Sequence, residues 1–140
     1  MREADRIECQ ALGRTPKEAL RLGLRMSLYT LSAIEDDGGV TAMFGLTAVS
    51  VLDGAARPWF LGTDRVFMHP RELLCTGRKI LSWWKSEFPS LENIVAVNNH
   101  AAIRLLMHWG AVVGGEEEVH GGVRFVPFHF PAIQAAPVNA

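Results

Sequence analysis

Residues 27–51, SLYTLSAIEDDGGVTAMFGLTAVSV, constrain the chain more than any other stretch. Two runs of strand-favouring residues flank Asp36-Asp37-Gly38-Gly39, where glycine supplies the positive φ that a tight reversal demands. The pattern predicts an antiparallel hairpin and so commits the chain to a sheet. Asp53-Gly54 marks another turn, after which Pro58–Leu61 reads as a third strand ending near Gly62-Thr63-Asp64. One face of such a sheet has to be covered by another layer.

Helical segments supply that layer. A short helix is expected from Asp5 to Leu12, stopped by Gly13. In TPKEALRLGLRM, Thr15 is placed to cap, Pro16 suits the first helical position and Glu18 completes a capping box. From Pro70 to Phe88 the apolar spacing turns helical, with Leu73, Leu74, Ile80, Leu81, Trp84 and Phe88 on one stripe and Thr76-Gly77 as a candidate interruption. Pro89-Ser90 ends it. ENIVAV then reads as a strand inside the sheet, because its apolar residues barely alternate. NNHAAIRLLMHWGA follows as a helix capped by Asn98 or Asn99 and closed by Gly110. AVVGGEEEV and VRFVPFHF read as two strands joined by His120-Gly121-Gly122. The order implies an α+β or mixed α/β domain over residues 1–130, with 131–140 as a flexible tail.

With 140 residues, 49% of them hydrophobic, the chain suits one core. A formal charge of −1 gives no general attraction to nucleic acid or anionic lipid, so neither is expected as a partner. No apolar run approaches the roughly 20 residues that cross a bilayer, and MREADRIECQ is charged where a signal peptide needs an apolar core. Cys9 and Cys75 form no CxxC pair, and the histidines show no HxH or HExxH spacing, so neither a disulfide framework nor a metal site is expected. No GxSxG, Walker or dinucleotide-binding motif occurs.

His100, Arg104 and His108 recur every four residues, which alone reads as a solvated helix face. The whole string carries more. Asn99, Ala102, Ile103, Arg104, Leu105 and Gly110, preceded by Ile94–Val97, resemble the N-x-x-A-I-R-L-Y-x-x-x-G-F segment of the GCN5-related N-acetyltransferases (GNAT). The order of elements is similar too. This resemblance implies a single central, mostly antiparallel sheet with helices on both faces. It also implies acetyl-CoA or another acyl-CoA between the strand Trp59–Asp64 and the strand Ile94–Val97. Leu61, Gly62, Asn99 and Arg104 would then lie on the cofactor side.

Within that superfamily the chain is similar to the internal virion protein A group of short-tailed phages, through READRIECQALG, TPKEAL, AMFGL, WFLGTD, LENIV, NNHAAIRLL and PFHF. That likeness implies a phage protein of the host cytoplasm or the virion, with a host enzyme or other protein as target. In the phage group the segment like MREADRIE follows a first strand and first helix. Both are therefore expected to be missing, which leaves an open sheet edge and suggests a homodimer.

Two departures bear on chemistry. Active members often carry a tyrosine that protonates the leaving thiolate, and Leu106 stands there. The family's phosphate-holding loop has the form Q/R-x-x-G-x-G/A, whereas MHPRELLCTGRK has Gly77 alone. Arg71, Arg78 and Lys79 offer charge instead and Thr76 a hydroxyl; the alternative is that the three cations form a solvated helix face. Amine acylation needs a proton acceptor. Asp64 and His69 are the best-placed candidates, although turn or capping residues are the commoner reading of each. Cys75 has no evident base and defaults to a small buried cysteine; one of Trp83 and Trp84 should fill the core. Three functions stay open: an acyl-CoA-dependent N-acyltransferase, an inactive relative that modulates a host enzyme or sits in the virion, and an acyl-CoA binder without transfer.

Overall fold

The DDGG reversal forms where the sequence places it: Gly38 has φ +83°, and the Gly39 N–H donates to Asp37 Oδ1 at 2.8 Å. It joins β1 (Ser27–Ile34) to β2 (Val40–Ser50), and β3 (Ala55–Gly62) pairs antiparallel on the far side of β2. These strands belong to a computed structural model that describes residues 1–50 and 52–131; the expected tail, apart from Pro131, lies outside the described residues. Helices α1 (Glu3–Ala11) and α2 (Pro16–Met26) precede the hairpin. A 3-10 turn (Asp64–Met68), α3 (Pro70–Glu87), β4 (Ser90–Ala96), α4 (His100–His108), β5 (Val112–Val113), β6 (Glu118–His120) and β7 (Val123–Phe130) follow. The seven-stranded sheet runs β1-β2-β3-β4-β7-β5, with β6 also on β7. Among the described residues only the β3–β4 pair is parallel, and β4 is an interior strand, as its apolar run implies.

Helices cover both faces. Leu46, Ala56, Leu91, Phe128 and Phe130 meet Leu81 and Trp84 of α3 in one buried cluster, where each fully buried large side chain contributes roughly 1.5–3 kcal/mol. Neighbouring residues on a strand point to opposite faces, so Gly45 and Trp59 look the other way, toward α2. There the Trp59 ring lies so close that a Cβ on Gly45 would come within 2.7 Å of it and one on Gly23 within 2.9 Å. The indole N–H donates to Ser27 Oγ at 2.7 Å. Helix α2 itself starts with the full capping box, Glu18 N–H to Thr15 Oγ1 at 3.2 Å and Thr15 N–H to Glu18 Oε2 at 2.9 Å.

Three expectations are corrected. Thr76-Gly77 does not interrupt α3; a Cβ on Gly77 would lie 2.2 Å from Trp109 Cζ2, so the glycine lets α4 seat against α3. AVVGGEEEV is not one strand, because Gly114 and Gly115 (φ +153° and +134°) divide β5 from β6. Cys75 is exposed rather than buried, one position past Leu74 and so off the apolar stripe of α3. Trp84 is the tryptophan that fills the core, 2% exposed against 39% for Trp83.

Candidate functional site at the fork between β3 and β4

Strands β3 and β4 pair only at Ala55↔Ser90 and Ala56↔Leu91. Beyond those residues the ladder stops while each strand stays bonded to its outer neighbour, β3 to β2 and β4 to β7. The sheet therefore forks. Backbone groups freed inside a protein need partners, and side chains provide them here. At the apex, Asn93 Nδ2 donates to the Pro58 carbonyl at 2.9 Å, and Asn93 Oδ1 accepts from the Ile94 N–H at 2.8 Å.

Helix α1 spans the wide end. The Arg2 N–H donates to the Gly62 carbonyl at 2.8 Å, and Asp5 Oδ2 accepts from the Gly62 N–H at 2.8 Å. Arg2 and Asp5 form a two-pronged ion pair, Nε–Oδ2 3.1 Å and Nη2–Oδ1 2.7 Å, with both residues buried. One turn on, Glu8 Oε1 accepts from the Ala96 N–H and from Asn99 Nδ2, both at 3.0 Å. Asn99 in turn caps α4 by accepting from the Ala102 N–H at 3.4 Å. Burial pushes the Glu8 carboxyl above its ordinary value, outweighing the hydrogen bonds from Asn99 and Ala96; nearby Asp5 adds to the rise and Arg2 opposes it. The polarity of α1 is inverted as a result: Asp5 faces inward while Ile7 and Leu12 are exposed.

A cleft of about 1390 Å³ runs through the fork and is lined from both helical layers, by Glu8, Trp59, Leu61, Thr76, Asn99 and Leu106 among others. Of the residues singled out from the sequence, Leu61, His69, Thr76, Gly77 and Asn99 line it. Gly62 is buried and outside the lining, with its carbonyl and N–H taken by Arg2 and Asp5. Arg71, Arg78 and Arg104 are exposed and outside the lining; Arg78 Nη2 reaches the His108 carbonyl at 3.5 Å. His69 Nε2 lies 3.0 Å from Glu35 Oε1 at the rim. Asp64 is exposed at the start of the 3-10 turn and does not line the cleft. The solvated-face reading of His100, Arg104 and His108 holds, since all three are exposed.

Asp5, Glu8 and Asn93 are the site residues that sequence reasoning missed. Asp5 and Glu8 sit one turn apart, the signal available beforehand, but such spacing ordinarily marks a solvated face. Among the described residues, Trp84 Nε1 is the one buried side-chain polar atom without a partner, and Trp84 lines the cleft. No cluster of three His, Cys, Asp or Glu suited to a metal occurs among the described residues, and no described helix is long and apolar enough to cross a membrane.

No protein-family model and no curated protein matches the chain. Solved structures do. A GCN5-related N-acetyltransferase from Kribbella flavida matches with TM-score 0.61 and 21% identity, over 81% of this chain and 76% of that one. The spermidine N-acetyltransferase of Vibrio cholerae, in complex with CoA and spermine, matches with TM-score 0.61 and 12% identity, over 83% and 75%. A chimera of that enzyme with hSSAT gives 0.58 and 13%, over 74% of this chain; the chain spans 66% of that structure's length. At these identities the likeness is one of fold, and the chain has the fold of the GCN5-related N-acetyltransferases, a mixed α+β domain on a mostly antiparallel seven-stranded sheet.

Proposed function

We propose that the chain binds an acyl-coenzyme A in the fork and transfers its acyl group to an amine. The observation that carries this reading is the gap between the strand flanks Trp59–Leu61 and Asn93–Ala96, which share no ladder across the cleft; Asn93 and Glu8 already hold the Ile94 and Ala96 N–H groups, so the β3 flank Trp59–Leu61 is the side offered to a ligand. Such a flank suits a chain of amides like pantetheine, which pairs with backbone and needs no special side chain. In this reading Leu61 and Gly62 border the donor on one side and Thr76, Gly77 and Asn99 on the other. Arg71, Arg78 and Arg104 offer charge to its phosphate end, while His69 stands at the rim and Asp64 lies outside the lining, at the start of the 3-10 turn. The thioester supplies the acyl group. A polyamine is a reasonable acceptor class, since a structural neighbour is complexed with spermine and Glu8, Glu35 and Glu72 line the cleft.

A second reading rests on the start of α3. The 3-10 turn before Pro70 holds no glycine, Pro70 has no N–H to offer, and Glu72 adds negative charge to the first turn. With Leu106 in place of a proton donor, these features favour an inactive relative, phage-encoded, that modulates a host enzyme or sits in the virion, self-associating through the β1 edge. Isothermal titration calorimetry with acetyl-CoA separates the two. The first reading expects saturable heat; no heat and no thermal shift at millimolar ligand overturns it, and recovery of one specific partner from host lysate then supports the second.

A further inference from the structure

We propose that Glu8 is the proton acceptor of this transfer, meeting the acceptor amine from the α1 side of the fork. The assignment rests on the acyl-transfer reading above and adds to it a residue that the sequence pattern does not mark. Glu8 is half-buried, lines the cleft, and is fixed at the wide end of β4 by two bonds to one oxygen, from the Ala96 N–H and Asn99 Nδ2. Among the described residues its Oε2 has no hydrogen-bond partner. The other cleft carboxylates are engaged or out at the rim. Asp5 is locked to Arg2, Glu35 to His69 and Glu118 to His120, while Asp36, Glu72 and Glu92 are exposed. The charged and titratable groups around Glu8 are Arg2, Asp5 and Cys9 of its own helix, and Asn99, which faces it from the start of α4, is uncharged. Arg2 and Asp5 offset one another. Burial raises the Glu8 proton affinity toward the range useful to a base at neutral pH.

In the step, an ammonium proton passes to Glu8 Oε2 and frees the nitrogen lone pair. That pair forms the C–N bond at the thioester carbonyl, the C–S bond breaks, and sulfur leaves with the bonding pair. Leu106 has no proton to give, so the sulfur takes the second proton lost by the nitrogen. Amide and thiol are released, and Glu8 returns its proton to water.

The test compares the native chain with Glu8→Gln, whose amide oxygen keeps both acceptor bonds. The probes are acetyl-CoA with spermine, an ammonium at neutral pH, and acetyl-CoA with trifluoroethylamine, which is already uncharged there. We expect equal acetyl-CoA binding by calorimetry, a spermine rate lowered by about 10²–10⁴-fold with loss of the acid limb of its pH profile, and an unchanged trifluoroethylamine rate. A ¹³C titration of the native side-chain carboxyls should find Glu8 above an ordinary glutamate. Equal spermine rates, equal loss with both amines, or an ordinary Glu8 titration overturns the assignment. So does a native chain that acylates neither amine, and the calorimetry then tells whether the cleft reading falls with it.

Discussion

Gly77→Ala sets two physical effects against each other on the helix that walls the cleft. Alanine is the better helix former, by about 0.8–1.0 kcal/mol in an open helix interior. Here the new Cβ would lie 2.2 Å from Trp109 Cζ2, 2.3 Å from Cε2 and 2.6 Å from Nε1, where ordinary contact begins beyond 3.4 Å. The indole cannot swing aside freely, because Nε1 donates to the Leu74 carbonyl at 3.2 Å and Trp109 packs against the core. Overpacking of this kind costs about 1–3 kcal/mol, and losing the indole bond about 0.5–1.5 kcal/mol more. Net of the propensity gain, the variant should lose about 1–3 kcal/mol, a fall in Tm of roughly 3–10 °C for a chain of this size. Urea unfolding followed by far-UV circular dichroism reads it directly. Trp109→Phe should reduce the penalty of the alanine, so the double variant should be less destabilised than the sum of the singles. A Gly77→Ala chain more stable than native would refute the account of α4 seated on α3.

Removing Asp5 should be severe: Asp5→Ala leaves the buried Arg2 guanidinium unpaired and the Gly62 N–H without its acceptor, a loss of about 3–5 kcal/mol, measured by denaturant titration. Trp59→Ala empties the slot between Gly23 and Gly45 and removes the bond to Ser27; because the ring is only half-buried, about 2–4 kcal/mol is expected, and a loss below 1 kcal/mol would count against α2 docking through this ring. Glu8 gives a pH signature. Its folded-state proton affinity is raised from 4.5, so between that value and the raised one the folded chain binds more protons than the unfolded. Its contribution to stability is then greatest at low pH and falls as pH rises through the window. Glu8→Gln should lack that slope, and a native-minus-variant stability difference independent of pH would contradict the burial of this carboxyl.

Local chemistry was the legible part of the fold. Thr15-Pro16 with Glu18, the DDGG reversal, Asn99 as a cap and Gly110 at a helix end (φ +92°) each act within a few residues, and each stands where the sequence puts it. What the sequence did not reveal is non-local. Asn93 reaches back 35 residues to Pro58, and Glu8 reaches 88 and 91 residues ahead to Ala96 and Asn99. No periodicity encodes such pairs. Polar residues one turn apart on a helix ordinarily mark its solvated side, yet the fork leaves backbone groups whose demand for partners turns Asp5 inward, while Ile7 is exposed. Similarly, Gly77 reads as a helix breaker in one dimension and acts as a seat for Trp109 in three. Of the residues named from the family likeness, those on β3, the inner side of α3 and the cap of α4 gather at the cleft, whereas the arginines follow the solvent faces of their helices.

Backbone amide NMR during titration with acetyl-CoA tests the central claim most directly. The account predicts saturable shifts clustered at Leu61, Thr76, Gly77 and Asn99, on the walls of the fork, with the Asp53-Gly54 turn, which lies outside the lining, unmoved. Shifts confined to surfaces away from those residues, or none at millimolar ligand, would contradict it.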